Sequence, residues 1–323
     1  MQRVLMTEPI AAQGVQELRS YPAIEVVERH GLTADELRRA VASCAGLLVR
    51  SQTQVNGALI DAGTELRVIG RAGAGVDNID VAAATERGVL VMNTPGANAQ
   101  AAAELTVGLL FAVARHIAAA DASVKAGEWE RTRFRGTQLL GKTLGIVGIG
   151  NVGRLVARSA AALGMHVVAH DPYVAPDLAV EHRVSLVALD AVLAHSDFIT
   201  VHTPLTSTSR GLIGASEIAR MKRGVYLLNC SRGGVIDELA LLAALDSGQV
   251  AGAALDVFTA EPPSGLAIAR HPGVVATPHI GALSWEAQLN VAIMIANQIG
   301  RFLTTGEVGA AVNPSAVLRR PNR

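Results

Sequence analysis

The chain has 323 residues, half of them hydrophobic, and 28 Lys plus Arg balance 28 Asp plus Glu to a formal net charge of zero. That length suits about two domains with cores of their own, and the charge balance leaves no basic stripe for nucleic acid and no lysine-rich face for a membrane surface. Cys44 and Cys230 stand far apart in neither metal-ligand nor redox spacing, the opening apolar run 1–6 is too short for a signal peptide, and the most apolar stretch, 105–120, is interrupted by Arg115 and His116; the expectation is a cytoplasmic globular protein without a metal.

Short apolar runs alternate with helical patterns from the start. Residues 3–6 read as a strand and 14–20 as a helix; 24–27 read as a strand, and Thr33 caps a helix to about 42, with Asp35 and Glu36 in its first turn. Strands follow at 46–49, ending in Arg50-Ser51, and at 66–70, ending in the glycine-rich Arg71-Ala72-Gly73-Ala74-Gly75-Val76-Asp77. A strand at 89–92 closes this first series. One long helix is expected over 99–125, then a charged irregular stretch over 128–136. The strand pattern resumes at 144–147, 167–169, 198–201, 225–228, 251–257 and 274–276, and a last helix is expected over about 283–304. The strands are short and mostly apolar on both faces, as a parallel sheet covered by helices requires. The expected class is therefore α/β, with two domains, each a parallel sheet flanked by helices.

The stretch Leu144-Gly145-Ile146-Val147-Gly148-Ile149-Gly150-Asn151-Val152-Gly153 is a strand running into a G-x-G-x-x-G turn and a helix. Asp171 stands at the end of the next apolar run, at the spacing where a carboxylate meets ribose hydroxyls. In this pattern Gly148 permits the tight turn, Gly150 lets the backbone approach a pyrophosphate, and Gly153 lets helix and strand pack closely. The helix N-terminus offers N–H groups and a positive dipole end to the phosphates. The pattern predicts a bound dinucleotide. Asp171 accepts hydrogen bonds from an unmodified ribose and repels a 2′-phosphate, and Pro172-Tyr173 supply no arginine to offset it, so NAD is expected over NADP.

Ligands of open parallel sheets lie outside the carboxyl ends of the strands. There the second half carries His202-Thr203-Pro204, Asn229-Cys230-Ser231-Arg232-Gly233-Gly234, Asp256 through Glu261, and Thr277-Pro278-His279-Ile280-Gly281. A histidine can take the hydroxyl proton as a hydride leaves a carbinol carbon. A carboxylate beside it fixes its tautomer, and an arginine can grip an α-carboxylate with two prongs. The substrate this set implies is a small 2-hydroxy or 2-oxo acid.

Together with Gly70 to Asn78, Val91-Met92-Asn93-Thr94-Pro95, Asn229 to Glu238, Ala254 to Pro263 and Thr277 to Ala282, these stretches resemble the D-isomer-specific 2-hydroxyacid dehydrogenase family over about residues 50–313. The resemblance implies a Rossmann-type nucleotide domain (98–283) inserted into a flavodoxin-like substrate domain (1–97 and 284–323). It implies that Arg232 binds the substrate carboxylate, that Glu261 supports His279, and that His279 is the acid/base. Asp256 would hold the nicotinamide carboxamide, and Asn151, Val152, Thr203, Cys230, Ser231, Gly281 and Ala282 would line NAD. Arg50, Ser51, Arg71, Ala74, Gly75 and Asn98 match substrate-side positions of the outer domain. Ala74 stands where relatives often carry Thr, which loses one hydroxyl donor. Arg131 matches a residue that reaches across a dimer in relatives, so a homodimer or homotetramer is expected. The implied reaction is reversible oxidation of a D-2-hydroxy acid, foremost 3-phosphoglycerate at the start of serine synthesis.

Two other readings stay open on the sequence. One is the same chemistry on hydroxypyruvate, glyoxylate or another D-2-oxo acid, which the weight of Arg50 and Arg71 would decide. The other is an NAD(H)-sensing, corepressor-like binding protein, which a turnover assay would decide. Each residue also has a plainer role open to it. His279 is one of nine histidines, Arg50 and Arg71 could be surface charges, and Arg131, Arg133 and Arg135 could be a solvated run. Cys230 reads as a small buried thiol rather than a nucleophile.

Overall fold

A computed structural model describes residues 1–175, 184–263, 265 and 267–319. The chain divides into two compact units, the first made of Met1–Asn98 with the segment from Ala282 on, the second of Ala99–Gly281.

The first unit is built on β1 (Gln2–Met6), β2 (Ile24–Glu28), β3 (Gly46–Val49), β4 (Val68–Arg71) and β5 (Leu90–Met92), with α1 (Ala12–Arg19), α2 (Ala34–Val41), α3 (Gly57–Ala62) and α4 (Val81–Glu86) between them. The sheet is parallel in the order β2-β1-β3-β4-β5, the flavodoxin-like arrangement. Side chains alternate along each strand. Val4, Met6, Leu48, Val68, Leu90 and Met92 therefore face one way, onto the long helix Trp285–Thr305 through Ile295 and Ile299. Leu5, Leu47, Val49, Ile69 and Val91 face the other way, among Leu37, Leu59 and Ile60. Both faces are covered, which is why the inner strand β3 and the strand β5 are apolar throughout. The expected cap at Thr33 is a full capping box: its hydroxyl accepts from Glu36 N at 3.4 Å, and the Glu36 carboxylate accepts from Thr33 N at 2.9 Å.

The second unit carries α5 (Ala99–Ala114), α6 (Ile117–Lys125), β6 (Thr143–Val147), α7 (Asn151–Ala162), β7 (His166–His170), β8 (Ser185–Leu186), α8 (Leu189–His195), β9 (Phe198–Val201), α9 (Ala215–Ala219), β10 (Val225–Asn229), α10 (Glu238–Asp246), β11 (Val250–Leu255), α11 (Ala267–Arg270) and β12 (Val274–Ala276). Its sheet is parallel in the order β12-β11-β10-β9-β6-β7-β8. The strand order reverses between β6 and β9. Phe198 and Leu228 pack on one face with Val156 and Ala157 of α7, while Ile199, Val201 and Leu227 pack on the other with Leu241 of α10.

The single helix expected over 99–125 is in fact two. α5 stops at Ala114 and α6 starts at Ile117, bent from it by 65°. His116 between them adopts φ 53°, in the left-handed region. The Ala114 carbonyl, released from the helical ladder, accepts Thr137 N at 2.8 Å. The chain just past the irregular segment thus takes the place of the next helical turn, a long-range exchange that apolar periodicity cannot reveal. No single helix among the described residues is long and apolar enough to cross a membrane.

Candidate active site

The glycine turn sits where the strand order of the second sheet reverses, the place where open α/β sheets leave a crevice. β6 runs into Gly148 and β9 into His202-Thr203. Gly148 has φ 93°, and a Cβ there would lie 2.9 Å from the His202 carbonyl carbon. A Cβ on Gly153 would lie 2.2 Å from the Gly148 carbonyl oxygen, so only glycine lets α7 start this close to the strand. Gly150 faces open space, and no side chain caps the α7 N-terminus it begins. Asp171 Oδ2 accepts Ile149 N at 2.9 Å and Oδ1 accepts Tyr173 N at 2.9 Å, which ties the carboxylate to the turn. A dinucleotide fits these residues. The helix end offers its N–H groups to phosphate, and the Thr203 hydroxyl is buried without a protein partner among the described residues.

His202 beside it is enclosed. Its Nε2 lies 3.0 Å from Thr200 Oγ1, its Nδ1 is buried, and burial pushes its pKa down to about 4 from 6.5. Between those values the unfolded chain binds the proton and the folded one does not, so stability falls as pH drops from about 6.5 toward 4. The shift corresponds to a loss of about 3 kcal/mol at most. Denaturant unfolding at pH 7 and 4.5 checks this. The difference between the two pH values is expected to shrink in His202→Asn, and an unchanged difference would refute it. The Cys230 thiol is pushed up to about 12, chiefly by burial and against a hydrogen bond with Thr106. It is therefore a thiol at neutral pH and no nucleophile.

The remaining residues lie at the ends of β10, β11 and β12. Asn229 Oδ1 accepts the N–H (3.0 Å) and the hydroxyl (2.8 Å) of Ser231, and its Nδ2 donates to the Arg232 carbonyl at 2.9 Å. This local ring turns the chain so that Arg232 follows the strand directly; its Nη1 donates to the Ser231 carbonyl at 2.7 Å. Asp256, fully buried, accepts Thr277 Oγ1 (2.6 Å) and Ile280 N (2.8 Å) on Oδ1, and Gly281 N (2.8 Å) on Oδ2. It thereby braces the turn that carries His279, whose φ of 53° is a left-handed conformation rare outside glycine. His279 Nδ1 lies 2.7 Å from Glu261 Oε2. Burial raises the Glu261 pKa, but the bond and charge of His279, the Phe258 N–H and Arg232 outweigh it and hold the carboxyl below its ordinary range. The pair leaves His279 Nε2 to exchange a proton with a ligand.

The second unit thus brings together Gly148, Gly150, Asn151, Val152, Gly153, Asp171 and Thr203 around the turn, and Arg232, Asp256, Glu261, His279 and Gly281 at the neighbouring strand ends. Asp256 spends its oxygens on protein donors, with acceptor capacity remaining chiefly on Oδ2, so its evident work is to hold the 277–281 turn. Arg131 is exposed, beside a shallow hollow that it lines with Val124, Trp129 and Phe134. The first unit holds Arg50, Ser51, Arg71, Ala74, Gly75, Asn98 and Ala282. There the Ala74 carbonyl accepts Asn93 Nδ2 at 2.6 Å, a backbone contact independent of the side chain at 74.

Sequence reasoning gave no role to Asn229 or Asn78 and did not single out Glu8. Asn229 carried the signal of an Asx turn, an Asn closing a strand before Ser-Arg-Gly-Gly. Glu8 carried only a weak one, an acid just after a strand. It is buried and accepts backbone N–H groups from Arg50, Gln52 and Thr53; burial raises its pKa, but those bonds bring it below the ordinary value.

The family model described as "D-isomer specific 2-hydroxyacid dehydrogenase, NAD binding domain" matches residues 107–281. The D-3-phosphoglycerate dehydrogenase of Rattus norvegicus is 48% identical over 297 residues, covering 91% of this chain and 56% of the relative. The chain therefore spans little more than half the length of that curated relative. Among solved structures, a glyoxylate reductase from Paecilomyes thermophila has a TM-score of 0.88 at 31% identity, over 96% of this chain and 98% of its own. An NAD+-bound 3-phosphoglycerate dehydrogenase from Entamoeba histolytica has a TM-score of 0.82 at 28% identity, over 97% and 98%.

Proposed function

The chain belongs to the D-isomer-specific 2-hydroxyacid dehydrogenase family and its second unit is an NAD-binding domain of that family, and from that premise we propose that it oxidises D-3-phosphoglycerate to 3-phosphohydroxypyruvate, reversibly, as the entry step to serine. The observation that carries the chemistry is the 2.7 Å contact between His279 Nδ1 and Glu261 Oε2 at the strand ends beside the NAD turn. The substrate assignment is supported by relatives at nearly half identity named for it.

NAD, when bound, supplies the hydride acceptor. His279 takes the hydroxyl proton on Nε2 while Glu261 holds the opposite ring nitrogen and steadies the charge the ring gains. Arg232 pairs with the α-carboxylate and polarises the carbinol oxygen beside it. Asp256 keeps the His279 turn in register, and Asn229 does the same for Arg232. Arg50 and Arg71 are assigned to the phosphate, where guanidinium geometry suits the oxygens. A homodimer is part of the reading: Ile117, Val124 and Trp129, exposed by 51%, 56% and 78%, cluster on α6 and the segment after it, and Arg131 lies in that segment.

NADH absorbance with a panel of D-2-hydroxy acids tests the reading. D-3-phosphoglycerate is expected to exceed D-glycerate and D-lactate in kcat/KM, and equal rates on the unphosphorylated acids would overturn the substrate. NAD is expected over NADP by about tenfold or more. A phosphate at about 4 Å from the Asp171 carboxylate costs on the order of 4 kcal/mol at an effective dielectric near 20, and a third of that suffices. A kinetic preference for NADP would overturn the cofactor assignment.

A further inference from the structure

The first unit has its own reversal of strand order, between β1 and β3. Thr7-Glu8 follows β1 there, and Arg50-Ser51 follows β3. In sheets of this kind the crevice at the reversal receives ligands. The loop at that point is clamped from two sides. Glu8, only 7% exposed, receives Arg50 N (3.0 Å) and Thr53 N (2.9 Å) on Oε1 and Gln52 N (3.1 Å) on Oε2. Asn78 Nδ2 donates to the Arg50 carbonyl at 2.8 Å and to the Thr53 carbonyl at 2.7 Å. Thr7 and Thr53 join their hydroxyls at 2.8 Å. Of the four consecutive N–H groups in the loop, only that of Ser51 has no protein acceptor among the described residues. Ser51 itself is exposed.

We propose that Glu8 and Asn78 are positioning residues that fold the 50–53 loop into an anion-binding turn, presenting the Ser51 N–H and the Arg50 side chain to the phosphate of the substrate. This rests on the assignment of Arg50 to phosphate made above. The choice of residue types follows from hydrogen-bond chemistry. A carboxylate accepts from three N–H groups without offering a donor, whereas Gln in its place would turn an NH2 toward at least one of them. The Asn78 amide, conversely, supplies two donors to two carbonyls, which Asp cannot do. The buried negative charge is spent on the loop's own amides, so the side of the loop at Ser51 is left with an unmatched donor and a guanidinium.

Steady-state kinetics of Glu8→Gln, Asn78→Ala and Arg50→Ala with D-3-phosphoglycerate and D-glycerate test this in the full chain. Glu8→Gln and Asn78→Ala are each expected to raise KM for D-3-phosphoglycerate about tenfold, with a smaller rise for D-glycerate, and to leave KM for NAD within twofold. A role in stability alone would lower the melting temperature without changing the ratio of the two acid KM values. If Arg50→Ala shifts that ratio and neither clamp variant does, the positioning role is refuted while the phosphate assignment stands. If none of the three shifts it, both are refuted. Should Glu8→Gln fail to fold, the same comparison with Asn78→Ala decides.

Discussion

Replacing His279 with alanine is expected to lower kcat by about 10²- to 10⁴-fold, the usual contribution of a positioned acid/base, while the dissociation constant for NAD changes little. The side chain is held at both ends of its chemistry. Nδ1 meets Glu261 at 2.7 Å, and the backbone is fixed in a left-handed turn at φ 53°. Alanine keeps the Cβ, and with it the left-handed strain that histidine already carries at that φ. His279→Gly removes the imidazole and that strain together. Equal loss in both variants assigns the effect to the imidazole. Recovery of turnover in the glycine variant, or near-normal turnover in either, would end the assignment of His279 as acid/base. Glu261→Gln is expected to be milder, since an amide oxygen can still accept from Nδ1 but cannot balance the ring's positive charge.

Removing the Asp256 carboxylate is expected to be costly in both stability and turnover. It is fully buried and satisfies three donors, Thr277 Oγ1, Ile280 N and Gly281 N. A buried donor left without a partner costs about 1–3 kcal/mol, so Asp256→Ala is expected to lose about 3 kcal/mol or more of unfolding free energy. Because those donors flank His279, kcat is expected to fall at least tenfold even at temperatures where the variant is folded. Asp256→Asn keeps the shape and the Oδ1 contacts but turns an NH2 toward the Gly281 N–H, and an intermediate loss is expected. Denaturant unfolding and single-turnover kinetics on the same samples measure both. A stability loss with kcat intact would show that the 277–281 turn holds His279 without Asp256.

Both layers of each sheet were legible because a parallel strand covered on two faces is apolar at nearly every position, as Gly46–Val49 is throughout and Phe198–Val201 is but for the buried Thr200. The Thr33 cap was legible because its partner Glu36 lies one helical turn away. The break at Ala114 was not, since the Thr137 N–H that takes its carbonyl arrives from beyond the irregular segment. Glu8 was illegible for the same reason: its three donors lie more than forty residues downstream. β8 (Ser185–Leu186) was not read as a strand either; two residues carry no period.

By itself the sequence determined the local grammar of this protein: where strands end in glycine, where a helix begins on a dinucleotide turn, and which residue types stand at strand ends able to move a proton or grip a carboxylate. These follow from backbone conformation and side-chain chemistry within a few residues. Only the tertiary structure decided which of those ends meet. Glu261 and His279 come within bonding distance because β11 and β12 are neighbours in one sheet, and Glu8 reaches the Arg50 loop because β1 pairs with β3. Strand order is set by burying apolar faces along the whole sheet, so no short stretch of sequence records it.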